Sequence, residues 1–167
     1  MALKPQDVVI ALKLALVPSS PWTYKGLAEA LALSPSEVHG GVKRLTESRL
    51  LTPDRTVVRE SLLEFLVHGL RFAFPPKQGP RTRGVPTAHA AVPLSSLIEP
   101  SGEDPPVWPS ADGAVRGQSF APLYRSVPAA AGRDPALYEV LALADAIRGG
   151  RARERNLAAK LLQERLR

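Results

Sequence analysis

Hydrophobic residues recur at helical spacing through the first 74 residues of the chain. The earliest such stretch, residues 5–17, places five apolar side chains on one helical face: Val8, Val9, Leu12, Ala15 and Leu16. The prolines of VPSSPW (17–22) end this helix, because proline lacks the amide hydrogen that a helix interior needs. A second, shorter helix is predicted in YKGLAEAL (24–31), with Thr23 as its N-terminal cap.

The third predicted helix, residues 35–48, opens with a strong local signal. Ser34 and Glu37 fit the S-x-x-E capping box, in which each end of the motif bonds the backbone of the other. Pro35 occupies the first helical position, where proline is favoured. The start of this helix is therefore well defined by the sequence.

A turn and a fourth helix follow. Pro53-Asp54 predicts the turn, and residues 56–59 predict a short strand. The fourth helix, ESLLEFLVHGLRFAF (60–74), is apolar over much of its surface. We expect either the middle of the chain or a second subunit to cover it.

Prolines and glycines are frequent in residues 75–133, as in PPKQGPRTRGVP and EPSGEDPPVWP. Apolar residues are interspersed among them, which disfavours a disordered linker. We expect an irregular, proline-stiffened layer packed on the helices, with Trp108 packed inside it. The basic segment KQGPRTRG (77–84) is its most mobile part by composition.

Residues 134–167 return to helical periodicity. One helix is predicted at 135–148, the pair Gly149-Gly150 breaks it, and a second helix follows at 151–166. The sequence thus predicts a mainly α fold in three parts. These parts are a domain of residues 1–74, the proline-rich irregular segment 75–133 and the C-terminal helical pair 134–167.

Composition narrows the classes of partner. The formal net charge is +6 and the isoelectric point is about 10.1, which favours a polyanionic partner such as nucleic acid. No cysteine is present, so disulfides and thiolate metal sites are excluded. The apolar run VVIALKLALV (8–17) is interrupted by Lys13 and is far shorter than the ~20 residues that span a bilayer. We therefore expect a cytoplasmic protein with no membrane partner.

The order of elements in residues 23–51 points to a specific family. The stretch TYKGLAEALALSPSEVHGGVKRLTESRLL holds a short helix, a tight turn, a capped helix and a final leucine pair. It resembles bacterial winged helix-turn-helix transcription regulators of the multiple-antibiotic-resistance repressor (MarR) type. The resemblance implies a winged helix-turn-helix domain with a small β wing, whose helix 35–48 enters the major groove of double-stranded DNA. In one departure, Arg49 stands where these regulators usually have glycine.

A homodimeric transcriptional repressor is the expected form, because one helix in one groove makes few contacts. Two half-sites about one helical turn apart roughly double the buried surface. The first, fourth and last helices are the candidates for the dimer interface.

Two glycines, Gly40 and Gly41, interrupt the helix 35–48, although each costs about 1 kcal/mol relative to alanine. At about 100° per residue, the buried face consists of Val38, Val42 and Leu45. Gly40 then falls opposite that face, where the helix approaches the base edges most closely. Gly41 falls on its flank, where a missing side chain lets two helices pack closely. We expect a different cause for each glycine.

The candidate DNA contacts follow from this orientation. Ser36, His39 and Lys43 point toward bases or phosphates, with Arg44 on the flank. The full set is Thr23, Tyr24, Lys25, Ser34, Ser36, His39, Gly40, Lys43, Arg44 and Arg55, with Arg81 and Arg83 as further contacts from the 77–84 loop. The alternative for each of these residues is a solvated surface.

Catalytic and metal-binding motifs are missing from the sequence. The three histidines are isolated, and no G-x-S-x-G, phosphate loop or G-x-G-x-x-G occurs. We expect no enzyme activity, no cofactor and no metal.

Three other functions share parts of this pattern. The first is an antitoxin-like module that regulates its own operon and binds a toxin-like partner protein through residues 75–167. Trp108 and RARER (151–155) would then contact the partner. The second is a small-molecule sensor with a pocket under the proline-rich layer. The third is a winged helix that makes only protein contacts.

Overall fold

A computed structural model describes residues 1–17 and 21–167 of the chain. These residues form a mainly helical structure with a small β component, as predicted. The helices are α1 (Pro5–Leu16), α2 (Tyr24–Leu31), α3 (Pro35–Glu47), α4 (Arg59–His68), α5 (Leu70–Ala73), α6 (Val127–Arg133), α7 (Pro135–Gly149) and α8 (Ala152–Leu166). The strands are β1 (Gln78–Pro86), β2 (Pro106–Pro109) and β3 (Val115–Phe120), and two short 3₁₀ helices are Ala88–Ala90 and Leu94–Ser96.

The first three predicted helices are confirmed, and α1 has a role that the sequence did not indicate. It packs against α3, α7, α2 and α8, and none of its residues is exposed. It therefore offers little exposed surface to the dimer interface that was predicted to include it. Its last residue is Leu16; residues 18–20 of VPSSPW, expected to end it, lie outside the described residues.

The segment between α3 and α4 departs from the predicted strand. In the described part of the chain, its β pairing is a single antiparallel bridge between Leu51 and Val57, so the segment is a tight turn. Arg49 (φ 62°) and Arg55 (φ 68°) adopt the left-handed conformation. Glycine reaches that conformation at no steric cost, which is a physical reason for the glycine that MarR-type regulators usually have where this chain has Arg49. The predicted helix 60–74 breaks at Gly69 into α4 and α5.

The prediction of an irregular layer is wrong for much of residues 75–133. β1 pairs antiparallel with both β2 and β3, and β2 pairs parallel with β3, so each strand contacts the other two. The predicted mobile loop, KQGPRTRG (77–84), lies almost entirely in β1. Residues 127–133, which the sequence assigned to the same layer, form α6.

Buried side chains from all three parts of the chain form one hydrophobic cluster. Asp145 of α7 links the sheet layer to the helices, because its buried carboxylate accepts hydrogen bonds from Thr87, Trp108 and Arg148, each at 2.7 Å. Burial raises the pKa of Asp145, and the Arg148 charge and these hydrogen bonds oppose that rise. Trp108 is fully buried, as predicted. It is therefore not available as the partner contact that the antitoxin-like alternative assigned to it.

Across the described ranges, no helix combines the length and the apolar character required to cross a membrane.

Candidate nucleic-acid interface

The outward face of α3 is uncovered along its length. Ser36, His39 and Lys43 are exposed, and Gly40 is half-buried between them. This face borders an open groove whose other wall comes from α2 and from the turn after α3, through Tyr24, Pro53 and Arg55. The structure thus brings six of the predicted residues together: Tyr24, Ser36, His39, Gly40, Lys43 and Arg55.

The predicted caps define the N-terminal ends of α2 and α3, the two helices that border this groove. Thr23 Oγ1 accepts a hydrogen bond from the Gly26 amide at 2.9 Å and begins α2. Ser34 Oγ accepts from the Glu37 amide at 3.1 Å, and the Glu37 carboxylate accepts from the Ser34 amide at 2.8 Å. The capping box is therefore confirmed. Both hydroxyl oxygens accept hydrogen bonds within the protein, and these two bonds do not use the hydroxyl hydrogens.

An aromatic stack holds His39 in place. The rings of Tyr24 and His39 lie parallel, with centroids 3.6 Å apart and an angle of 14° between them. Trp22 meets Tyr24 edge-on, and the Arg55 guanidinium lies 5.2 Å from the Trp22 ring and 5.4 Å from the Tyr24 ring. Trp22 is half-buried and packs against the hydrophobic core, so it anchors the start of α2 there.

The turn that carries Arg55 is organised by its own side chains. Asp54 accepts hydrogen bonds from Thr52 Oγ1 and Thr56 Oγ1, and the Thr52 amide donates to the Thr56 carbonyl at 2.8 Å. The Thr52 hydrogen bond is the largest cause of a lowered pKa at Asp54. These contacts, with the left-handed backbone at Arg55, direct the arginine over the aromatic pair rather than away from it.

The expectation that Arg44 lies on the exposed flank of α3 is wrong. Its side chain donates two hydrogen bonds to the Asp7 carboxylate, from Nε at 2.7 Å and from Nη2 at 2.8 Å. Asp7 is fully buried, Arg44 is only 8% exposed, and the hydrogen bond to Asp7 raises the pKa of Arg44. A helical projection of α3 alone cannot show this, because the covering residue belongs to α1.

The two glycines have different neighbours, as predicted. A Cβ on Gly41 would lie within 3.0 Å of both Ile10 Cδ1 and Asp7 Oδ1, so a side chain there would push α1 away. A Cβ on Gly40 would lie 3.1 Å from Arg44 Nη1. Gly40 therefore leaves room for the guanidinium that binds Asp7, a cause that the sequence did not indicate. Its outer side still borders the open groove.

Two residues near the start of α3 were not predicted from the sequence. Tyr124 Oη donates a hydrogen bond to the Glu37 carboxylate, and Arg125 Nη2 donates to the same oxygen at 3.1 Å. The Tyr124 hydrogen bond is the largest cause of a lowered pKa at Glu37, and the same bond raises the pKa of Tyr124. The Arg125 side chain remains 77% exposed. No local pattern signals this contact, because it joins segments almost ninety positions apart.

The remaining predicted residues lie elsewhere. Lys25 is exposed on the first turn of α2. Arg81 and Arg83 are exposed on β1 rather than on a loop, and Arg81 Nε lies 3.3 Å from Asp104. Within residues 1–17 and 21–167, no three histidine, aspartate or glutamate side chains are grouped so that they could hold a metal ion.

Comparison with known proteins adds no family to this description. No family model matches the chain, and no curated protein or solved structure matches it significantly.

Proposed function

We propose that the protein is a winged helix-turn-helix regulator of transcription that inserts α3 into the major groove of double-stranded DNA. The observation that carries this proposal is the uncovered face of α3, where Ser36, His39 and Lys43 surround a glycine. The α2–α3 pair, the short turn between them and the turn after α3 correspond in order to that motif.

The dimensions of α3 support the proposal. An α-helix with its side chains is about 10–12 Å across, which fits a major groove about 12 Å wide. The 13 residues of α3 extend over about 20 Å along that groove, at 1.5 Å per residue. In helix-turn-helix proteins the N-terminal residues of the second helix contact the base edges. Ser36 and His39 occupy that part of α3, and Gly40 next to them permits a close approach of the helix backbone.

Cations and hydroxyls around α3 supply candidate phosphate contacts. Lys25 and Thr23 lie at the start of α2, and Arg55 lies on the turn after α3. Arg125, from the segment after β3, lies beside the start of α3 through its hydrogen bond to Glu37. Contacts of this kind position a protein on the duplex without reading its sequence. Arg44 is excluded from the set, because its role is to hold α3 against α1 through Asp7.

We propose α4 and α5 for the dimer interface, because α1 offers little exposed surface to it. Phe72 of α5 is 70% exposed, and Leu63 and Phe65 of α4 are only partly buried. A two-fold dimer through this surface would present two copies of α3 to a palindromic site. Repression by occupancy of such a site is the simplest outcome.

Selection of duplexes from a random pool by the purified protein tests this function. We expect a palindromic motif with half-sites about one helical turn apart. Lys43→Gln should weaken binding to the selected duplex, whereas Lys160→Gln, an equal charge change at an exposed position of α8, should not. Failure to enrich any motif, or equal affinities for the two variants, would count against a role for α3.

The antitoxin-like alternative is favoured by one observation. Val92 and Leu97, in the segment between β1 and β2, are 48% and 53% exposed, so both apolar side chains are available to a partner protein. A toxin-like protein that binds residues 75–167 would cover them. Paired Val92→Ser and Leu97→Ser substitutions should then release a co-purifying partner, while a protein that purifies alone in both forms would argue against this alternative.

A further inference from the structure

The exposed face of the β1–β3 pair carries three arginines. Arg83 of β1 lies directly opposite Arg116 of β3, and Arg81 lies two residues earlier on β1, hence on the same face. All three side chains are exposed. Like charges directly opposite each other on paired strands destabilise a sheet. The Arg83–Arg116 pair therefore opposes folding unless negative charge is supplied to it.

The chain itself supplies little of that charge. Arg81 lies 3.3 Å from Asp104, but the two side chains are 59% and 46% exposed, so solvent screens the pair. Among the residues that the structure describes, neither Arg83 nor Arg116 has a carboxylate oxygen within 4.0 Å. Two guanidinium groups thus remain available to an external anion.

We propose that these three residues, the arginine ladder, bind the phosphate backbone of duplex DNA as a second surface in addition to α3. The proposal rests on the proposed function, since one duplex is taken to occupy both surfaces. The guanidinium group suits this ligand because its planar donors match two phosphate oxygens at once. Arg116 was not among the residues predicted from the sequence. Backbone contacts of this kind raise affinity without specifying sequence.

The chain length between the two surfaces allows one duplex to reach both. Arg116 precedes Tyr124 by eight residues, and Tyr124 is hydrogen-bonded to Glu37 at the start of α3. An extended chain covers at most about 3.6 Å per residue, so Arg116 and Tyr124 lie no more than about 29 Å apart. One turn of B-form DNA is about 34 Å long. Arg116 is therefore within one turn of DNA length from Tyr124, the residue that contacts the start of α3.

The test compares three variants of the full chain on one fluorescent duplex of random sequence, about 40 base pairs or roughly four helical turns long. Arg83→Gln/Arg116→Gln removes both unpaired charges from the ladder. Arg153→Gln/Lys160→Gln removes the same charge from exposed positions of α8 and serves as the matched control. Lys43→Gln removes a charge from α3. For each protein, the dissociation constant is measured across a salt series, and the melting temperature is recorded.

We expect the ladder variant to reduce the slope of log affinity against log salt by about 1.8, or about 0.9 for each phosphate that the protein no longer neutralises. The control should keep the wild-type slope. The ladder variant should melt no lower than the wild type, because it relieves a like-charge pair. A reduced slope that accompanied a lowered melting temperature would assign the effect to unfolding and overturn the proposal.

The Lys43→Gln arm separates the two proposals. A wild-type slope in the ladder variant, with a reduced slope for Lys43→Gln, would overturn the arginine ladder and leave α3 in place. The reverse result would support the ladder and overturn the role of α3. Absence of duplex binding by the wild-type protein would overturn both. If the ladder variant instead loses binding to polyglutamate while it retains duplex binding, the surface belongs to an acidic protein and the proposal is wrong.

Discussion

Replacement of each α3 glycine by alanine should have clearly different effects on stability. Both substitutions gain about 1 kcal/mol of helix propensity. In Gly41→Ala the new methyl group lies within 3.0 Å of Ile10 Cδ1, which is fully buried, and of Asp7 Oδ1. Overpacking of this kind costs typically 1–3 kcal/mol, and displacement of the buried Asp7 carboxylate adds to it. We expect Gly41→Ala to lower the free energy of unfolding by about 2–3 kcal/mol.

In Gly40→Ala the new methyl group contacts the end of a long side chain, which can move, rather than a packed core residue. Its methyl group would lie 3.1 Å from Arg44 Nη1, at the end of a long side chain that two hydrogen bonds to Asp7 restrain. A small movement of that group offsets the gain in propensity, so we expect a change of less than about 1 kcal/mol. The two variants thus differ mainly in what their methyl groups touch.

Urea unfolding followed by circular dichroism measures both changes, and thermal melting checks them. For a chain of this size, 1 kcal/mol corresponds to roughly 2–4 °C, so Gly41→Ala should melt about 4–12 °C below the wild type. Equal stability of the two variants would refute the reasoning, because it would mean that α1 does not pack closely against Gly41. Gly40→Ala should also weaken DNA binding if α3 enters the groove, and it can do so without loss of fold.

Three further predictions concern the buried and hydrogen-bonded carboxylates. Arg44→Ala leaves the buried charge of Asp7 without its cationic partner, with the Lys4 amide still donating to it, and should lower the free energy of unfolding by about 3–5 kcal/mol in urea titrations. The pKa of Glu37 is lowered in the folded state, so its contribution to the free energy of unfolding is present above about pH 4.3 and is lost as the pH falls through the folded pKa. In Glu37→Gln, this part of the loss of stability at acid pH should vanish from unfolding midpoints measured across pH. A variant that loses as much stability at acid pH as the wild type would show that the Tyr124 contact is not its source. Asp145→Ala removes a carboxylate with three hydrogen-bond donors and should cost a similar 3–5 kcal/mol, with a change in tryptophan fluorescence as the sheet layer loosens; an unchanged urea midpoint would contradict that role.

Local signals in the sequence were sufficient for α1, α2, α3, α7 and α8 and for most of the candidate site, but not for α6 or for the break at Gly69. Hydrophobic spacing predicted α1, α2 and α3, and the capping box at Ser34 set the first residue of α3. Both depend on residues within one or two turns of each other, so the chain reveals them without its fold. The same spacing oriented α3, and the structure leaves Ser36, His39 and Lys43 exposed as that orientation required.

The sheet was missed because its composition is that of a loop. β1 contains two prolines and two glycines, and its partners lie more than twenty residues away. A Cβ at Gly84 or at Gly117 would collide with the backbone of Trp108 or of Pro105. These glycines are required for the close approach of strands, an explanation that becomes visible only when the strands are paired.

The sequence alone therefore determined where most of the helices lie, where α3 begins and which of its faces is apolar. The tertiary structure decided which neighbour covers each position: Asp7 reaches Arg44 from α1, and Tyr124 reaches Glu37 from the segment after β3. The physical reason is the separation along the sequence over which each interaction acts. Capping and periodicity act between residues a few positions apart, whereas burial and ion pairing depend on whichever distant segment the packed core brings into contact.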